Sequence, residues 1–277
     1  MPELPEVETT VRLIRPQLVG RTIRGARVAW RRTVGARAFE ARVARARITD
    51  VRRRAKYFVI ELERGRSPAG GLLGHLRMTG RVLVTPAGAP DPEYGKVALA
   101  LDDGTTMHFV DVRKFGRLVW HADPARELAA LGPEPLGEVF TADWLGAALR
   151  TRKRALKPLL LDQTFVAGLG NIYVDESLHR AGLHPLARAD RVKPREAERL
   201  WREIRAVLTE AIAREGSSFD AFYRTPEGKP GSYQEQFRVY GRDGQPCRTC
   251  RATIARLVVG QRGTHLCPRC QRRPRTR

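Results

Sequence analysis

Beyond Pro5, the apolar residues Val7, Val11, Ile14 and Leu18 recur at helical spacing, with Glu6 and Glu8 in the first turn and Gly20 as a stop. The pattern predicts a short amphipathic helix. From about residue 21 to 120 the period shortens, and brief alternating runs such as RTIRGARVAW, KYFVIELERG, GRVLVT, KVALALDDG and TMHFV are separated by Gly, Pro and Asp-Gly turns. Strands at that spacing predict a sandwich or barrel. The stretch LGPEPLG, residues 131–137, places two prolines and two glycines where this pattern ends, so it reads as a domain boundary. Helical periodicity follows at 141–150, 153–162, 172–181 and 194–215, the last through Ala197, Leu200, Ile204, Val207, Leu208 and Ala211. The Gly-, Ser- and Tyr-rich segment 217–237 then reads as a functional loop rather than a core element. The chain is thus predicted to be α+β and multidomain: an N-terminal β domain over 1–131, a helical domain over 138–240 that includes the loop, and a cysteine-bearing tail over 241–277.

Composition sharpens this outline. A length of 277 residues with 42% hydrophobic positions suffices for two ordinary cores. No apolar run approaches the roughly 20 residues of a membrane span, and MPELPEVETT has neither the basic start nor the apolar stretch of a secretion signal, so the expected compartment is the cytoplasm. Lys and Arg number 51 against 30 Asp and Glu, a formal charge of +21. That excess repels itself unless a polyanion is the working partner, and nucleic acid is the leading candidate. A ribosomal partner, an anionic membrane surface or a general arginine bias would give the same balance.

All four cysteines lie in the last 31 residues, which speaks against a disulfide framework distributed through a secreted fold. Cys247-Arg-Thr-Cys250 and Cys267-Pro-Arg-Cys270, sixteen residues apart, have the spacing of a four-thiolate zinc site. Such a site is closed and structural, so one Zn²⁺ is expected to fold the tail without reacting itself. His265 is expected to pack or to face a ligand rather than to bind the metal. The intervening RATIARLVVGQRGTHL alternates like a hairpin whose turn presents Arg262, which by itself reads as one more solvated arginine.

At the other end, removal of Met1 would give Pro2 a secondary amine, able to attack an aldehydic carbon and form an iminium, with Glu3 beside it to move protons. Alone, the same residues serve equally as a helix lead-in. Together with RRRAKYFVIEL, HLRMTGR, DVRKFGRLVW, LGPEPL, LKPLLLDQTFVAGLGNIYVDESLHRAGLHP, VYGRDGQPC and QRGTHLC, however, MPELPEVETT closely resembles the formamidopyrimidine-DNA glycosylase family along the full chain. The resemblance implies an N-terminal β-sandwich with a leading helix, a helical domain with a helix–two-turn–helix, a β-hairpin zinc finger, and double-stranded DNA as partner. It also implies a bacterial enzyme, and a monomer suits a single asymmetric lesion.

The resemblance also implies roles. Pro2 would be the nucleophile at C1′ of the damaged nucleotide and Glu3 the acid/base group. Lys56 would contact the lesion's phosphate and sugar and assist β-elimination. Arg262 would bind phosphates and serve δ-elimination, which replaces the bland reading above. Met78, Arg113 and Phe115 would fill the void left by the extruded nucleotide, Arg113 pairing with the orphaned cytosine; by pattern alone Met78 and Phe115 would be strand core. Asn171, at a GLGN turn before a helix, would bind a flanking phosphate, with Arg152 and Lys157 facing the same backbone. One departure stands out: Tyr94 and Lys96 occupy positions where many relatives carry His-x-His, leaving that DNA contact open.

Three readings follow. The first is a bifunctional glycosylase and lyase for oxidised purines, chiefly 8-oxoguanine opposite cytosine and formamidopyrimidines. The second keeps the fold but takes oxidised pyrimidines, as in the endonuclease VIII group, which typically begins PEGPE and lacks this wedge set. The third is a catalytically idle protein that binds damaged DNA.

Overall fold

The structure is a computed structural model that describes residues 2–35, 37–219 and 223–273. It divides into two compact units, Met1–Ala130 with Arg214–Ser232, and Leu131–Ala213 with Tyr233–Arg277.

In the first unit, helix α1 (Leu4–Leu18) starts with Pro5 in its first turn and a capping box in which the Glu3 and Glu6 side chains each accept the other residue's backbone N–H. The predicted stripe, Val7, Val11, Ile14 and Leu18, is buried, and Leu4 is buried with it. The remaining elements are β1 (Ile23–Val28), α2 (Arg31–Val34), α3 (Phe39–Val43), β2 (Arg47–Arg54), β3 (Tyr57–Arg64), β4 (Ser67–His75), β5 (Gly80–Thr85), β6 (Gly95–Leu101), β7 (Thr106–Asp111), β8 (Arg117–His121) and α4 (Pro124–Glu127). Among the described residues they form two four-stranded antiparallel sheets, ordered β1-β6-β7-β5 and β2-β3-β4-β8. One core cluster draws on both sheets and α1, with Phe58, Ile60, Leu72, Val82, Leu99 and Phe109 among its members, so of the sandwich or barrel that the alternation predicts it is the sandwich. Close packing dictates Gly74: a Cβ there would lie 1.9 Å from the Phe58 ring, so no larger residue fits β4. The helices α2 and α3 fall inside the region read as strands, because Phe39 and Val43 are spaced four apart and both point into the core.

In the second unit, α5 (Ala142–Arg150) is capped by the Thr141 hydroxyl, which accepts the Trp144 N–H at 3.1 Å. There follow α6 (Leu156–Leu160), α7 (Asn171–Arg180), α8 (Pro194–Ala213) and the hairpin β9 (Ala255–Val259) and β10 (Arg262–Leu266). Helix α7 is buried all round from Ile172 to His179, charged Asp175 and Glu176 included, so it is the axis on which this unit is assembled. Arg214–Ser232 groups with the first unit although it follows α8 in sequence. Residues 220–222 of the expected lesion loop lie outside the described residues. Among the described residues, no helix is long and apolar enough to cross a membrane.

Candidate functional site

The start of α1 gathers the first group of predicted residues. Pro2 and Glu3 are buried, and Glu3 is the helix N-cap. The Glu6 carboxylate makes two connections: Oε2 accepts the Glu3 N–H at 2.8 Å, and Oε1 accepts the Ser217 N–H at 2.8 Å. The Tyr223 hydroxyl donates to the Glu6 carbonyl at 3.4 Å, and burial holds that phenol well above its usual range. Both flanks of the segment that brackets residues 220–222 are therefore fastened to the turn that carries Pro2 and Glu3. Neither Glu6 nor Tyr223 was predicted as a site residue; the available signal was the Glu-x-x-Glu of a capping box.

Lys56 is buried at the second central position of the two-residue turn between β2 and β3, where Arg54 pairs with Tyr57. Its neighbour Ala55 has φ 54°, a left-handed conformation that a side chain adopts at a cost. Arg53 ties this turn to α1, donating to Glu8 Oε2 at 2.8 Å and to the Ala55 carbonyl at 3.1 Å. Burial raises the Glu8 carboxyl, but Arg53 and then Arg12 outweigh it and hold the group below its usual range. Behind the turn, His75 is held down to about 3, by burial first and then by Arg77 and Lys56, so it is neutral and its Nδ1 accepts the Arg77 N–H at 2.9 Å.

The three expected wedge residues sit on two loops of the same unit, before β5 and after β7. Met78 is half-buried, whereas Arg113 and Phe115 are exposed, Phe115 to 53%. The Arg113 guanidinium lies over the Phe115 ring at 5.1 Å. Asp111, fully buried, braces both loops: Oδ1 accepts from the Thr79 hydroxyl and from the Arg113 N–H, and Oδ2 accepts the Gly116 N–H at 2.7 Å. Phe115 is thus not core, as alternation alone would have it; the loop is locked from below and offers an aromatic face outward.

Tyr94 and Lys96 flank a cleft shared with Arg27, Asp91 and His108. Tyr94 is exposed with φ 62°, while Lys96 is buried with its Nζ 5.7 Å from the Tyr94 ring centroid. The phenol is accessible and the ammonium lies against it.

In the second unit, Arg152 is exposed on the loop after α5. Lys157 differs from expectation. Instead of facing the surface it is wholly buried, with Nζ 2.6 Å from Asp175 Oδ1 and 3.0 Å from the Gly263 carbonyl. The physical reason is that Asp175 would otherwise be a buried, unpaired charge on α7. Asn171 opens α7 and donates through Nδ2 to the same Gly263 carbonyl at 2.9 Å, leaving its buried Oδ1 without a partner among the described residues. Arg262, exposed, begins β10 just after a tight turn in which Gly260 and Gln261 both have positive φ. Lys157 and Asn171 therefore converge on the residue next to Arg262 and fix where that guanidinium starts. The His265 ring is buried against the Tyr240 ring, and its backbone N–H is accepted by Asp175 Oδ2 at 2.9 Å, so it packs as expected.

The four cysteines form no disulfide, and their sulfurs all lie within 4.8 Å of one another. Cys250 and Cys267 are 3.3 Å apart and Cys247 and Cys270 3.9 Å. Four sulfurs at about 2.3 Å from one ion would stand roughly 3.8 Å apart, so the cluster fits tetrahedral Zn²⁺. The Thr249 and Cys270 N–H groups point at the Cys247 and Cys267 sulfurs, both at 3.4 Å. Burial opposes ionisation at Cys247, yet the backbone N–H groups of Cys250 and Thr249 prevail and draw its thiol down to about 7. Bound zinc folds this tail around a closed structural site and thereby holds the hairpin that carries Arg262.

Residues 1–118 match the formamidopyrimidine-DNA glycosylase N-terminal domain, 131–222 its H2TH domain, and 244–273 the zinc finger found in FPG and IleRS. A formamidopyrimidine-DNA glycosylase from Chloroflexus aggregans is 46% identical over 98% of both chains. The crystal structure of MutM (Fpg) from Thermus thermophilus superposes with a TM-score of 0.86 at 42% identity, covering 98% of each chain. Lactococcus lactis Fpg in complex with DNA containing N7-benzyl-Fapy-dG gives a TM-score of 0.88 at 33% identity, covering 98% of this chain and all of that one. With these three domains in this order and that identity along the whole chain, the protein belongs to the formamidopyrimidine-DNA glycosylase family, DNA-repair glycosylases with AP lyase activity.

Proposed function

We propose that the protein excises oxidised purines from double-stranded DNA, chiefly 8-oxoguanine opposite cytosine and formamidopyrimidines, and then cuts the strand on both sides of the lesion. The observation that carries this reading is the exposed Arg113 and Phe115 pair on a loop locked by buried Asp111. An aromatic ring held outward needs a partner, and a gap in a base stack supplies one. Met78 joins them from the loop before β5, and the Arg113 guanidinium pairs with the widowed cytosine. The pyrimidine-directed reading lacks a use for this set, and the presence of Pro2, Glu3 and Lys56 speaks against the idle one.

The chemistry begins at Pro2 once Met1 is removed. Its amine nitrogen attacks C1′, the glycosidic bond breaks, and the base leaves with a proton. Glu3 protonates the sugar ring oxygen, and opening of the ring gives an iminium between Pro2 and C1′. Loss of a C2′ proton expels the 3′ phosphate, with Lys56 as the assisting group. A second elimination expels the 5′ phosphate, with Arg262 holding the phosphates. Water then hydrolyses the iminium, restoring the Pro2 amine. The product is a one-nucleotide gap. Arg152, Asn171, Tyr94 and Lys96 contact the backbone around the lesion, and Lys157 acts behind them through Gly263. The enzyme works as a cytoplasmic monomer on the bacterial chromosome.

The test is borohydride trapping on a duplex with one 8-oxoguanine opposite cytosine, beside a dihydrouracil duplex and a Pro2→Gly control. A covalent complex on the first duplex alone, absent in the control, is the expected result. Trapping only on dihydrouracil moves the protein to the pyrimidine-directed group, and tight binding without trapping on either makes it a damage-binding protein.

A further inference from the structure

We infer that His179 is a positioning residue of the zinc site, donating its Nε2–H to the Cys247 thiolate and so fastening the first cysteine knuckle to α7. The imidazole is buried, with Nε2 3.6 Å from Cys247 Sγ, and its buried Nδ1 has no partner among the described residues. A neutral imidazole carries a single N–H. Placed on Nδ1, that proton would be a buried donor with nothing to receive it. On Nε2 it points at the sulfur and leaves only an unused acceptor, the less costly arrangement. Zinc ligation makes Cys247 a thiolate, which accepts only, so the metal-bound state favours the second tautomer. Thr249 N–H donates to the same sulfur, giving it a second donor.

The contact belongs to a set. The helix and the residues just past its end hold the finger and the residues leading into it at several points: Asn171 Nδ2 donates to the Gly263 carbonyl, Asp175 accepts the His265 backbone N–H, Glu176 accepts the N–H groups of Arg238, Val239 and Tyr240, and the Leu183 carbonyl accepts from Gln271 Nε2. His179 adds a contact of another kind, to a metal-binding sulfur. Asp175, Glu176 and His179 fall on one helical face. Donors to a metal-bound sulfur orient the ligand and delocalise its charge, and losing such a partner weakens metal retention roughly 10–100-fold.

The test compares full-length protein, His179→Phe and His179→Gln, all zinc-loaded and matched by circular dichroism. Phe fills the ring's space without a donor, and the Gln amide restores a donor near the Nε2 position. Zinc transfer to excess chromogenic chelator is timed, and cobalt-substituted samples are read by their sulfur-to-metal charge-transfer bands. The expected result is release faster by about 10–100-fold in His179→Phe, near-normal release in His179→Gln, and four-thiolate cobalt spectra throughout. Equal release from all three proteins, or equal acceleration in both variants, overturns the inference, because then the ring only fills space. A native cobalt spectrum of three sulfurs and one nitrogen also overturns it, since His179 would itself be a ligand.

Discussion

Lys157 Nζ and Asp175 Oδ1 lie 2.6 Å apart with neither side chain exposed, and the same ammonium reaches the Gly263 carbonyl at 3.0 Å. Asp175 in turn accepts the His265 N–H through its other oxygen. A buried ion pair thus joins α6, α7 and the finger hairpin next to Arg262. Removing one partner strands the other charge, so Lys157→Met and Asp175→Asn are each expected to destabilise by about 3–5 kcal/mol. The double variant should cost clearly less than the sum, because the stranded charge disappears with its partner. Urea unfolding of the four proteins measures this, and additive losses would show that the two groups act separately.

A second expectation concerns pH. His75 titrates near 6.5 when unfolded but is held down to about 3 in the fold, so between these values the unfolded chain binds more protons. Stability from this group is complete above pH 6.5 and falls as the pH drops towards 3. The loss is about 2 kcal/mol at pH 5. Asn in place of His75 can still accept the Arg77 N–H through its side-chain oxygen but does not titrate. Urea midpoints at pH 8 and pH 5 should therefore converge in His75→Asn relative to the parent, and an unchanged pH dependence would assign the acid sensitivity elsewhere.

Much of this was legible in the residues, and the reasons differ by site. The zinc site was readable because its ligands are adjacent pairs and the metal geometry is local. Helix α1 and its buried stripe were readable because one face alone carries Val7, Val11, Ile14 and Leu18. The exposure of Phe115 was not readable from alternation, since it depends on Asp111 and Thr79, which are far apart in sequence; only the family resemblance pointed to it. Lys157 failed in the opposite way. In a TRKRALK run it reads as one of several surface cations, and nothing local reveals that Asp175 waits eighteen residues on. Glu6 was hidden likewise, because its partner Ser217 N–H is 211 residues away.

That distant contact gives a third expectation. Gly216 has φ +80° and its missing Cβ would stand 2.8 Å from Glu6 Oε1. Gly216→Ala should displace the carboxylate that receives both the Glu3 and the Ser217 N–H groups. Misplacing the turn that carries Pro2 and Glu3 is expected to slow excision of 8-oxoguanine by about 100-fold, as read in single-turnover kinetics. Retention of the parent rate would mean that the Glu6 bridge does not set the active geometry.

The last expectation separates stability from recognition at the wedge. Phe115 is 53% exposed and lies outside the core cluster, so Phe115→Ala should leave the unfolding free energy from urea melts within about 0.5 kcal/mol of the parent. On DNA the same ring has a base to stack against, an interaction worth about 1–3 kcal/mol. Affinity for a duplex with an abasic-site analogue should therefore fall about tenfold or more, while affinity for undamaged duplex, held by backbone contacts, changes little. Arg113→Ala should share the selective loss when cytosine stands opposite the lesion and show a smaller one opposite adenine. Fluorescence anisotropy on the three duplexes measures both variants. An equal loss on damaged and undamaged DNA would make this loop a general backbone contact and would remove the observation on which the purine-excising reading rests.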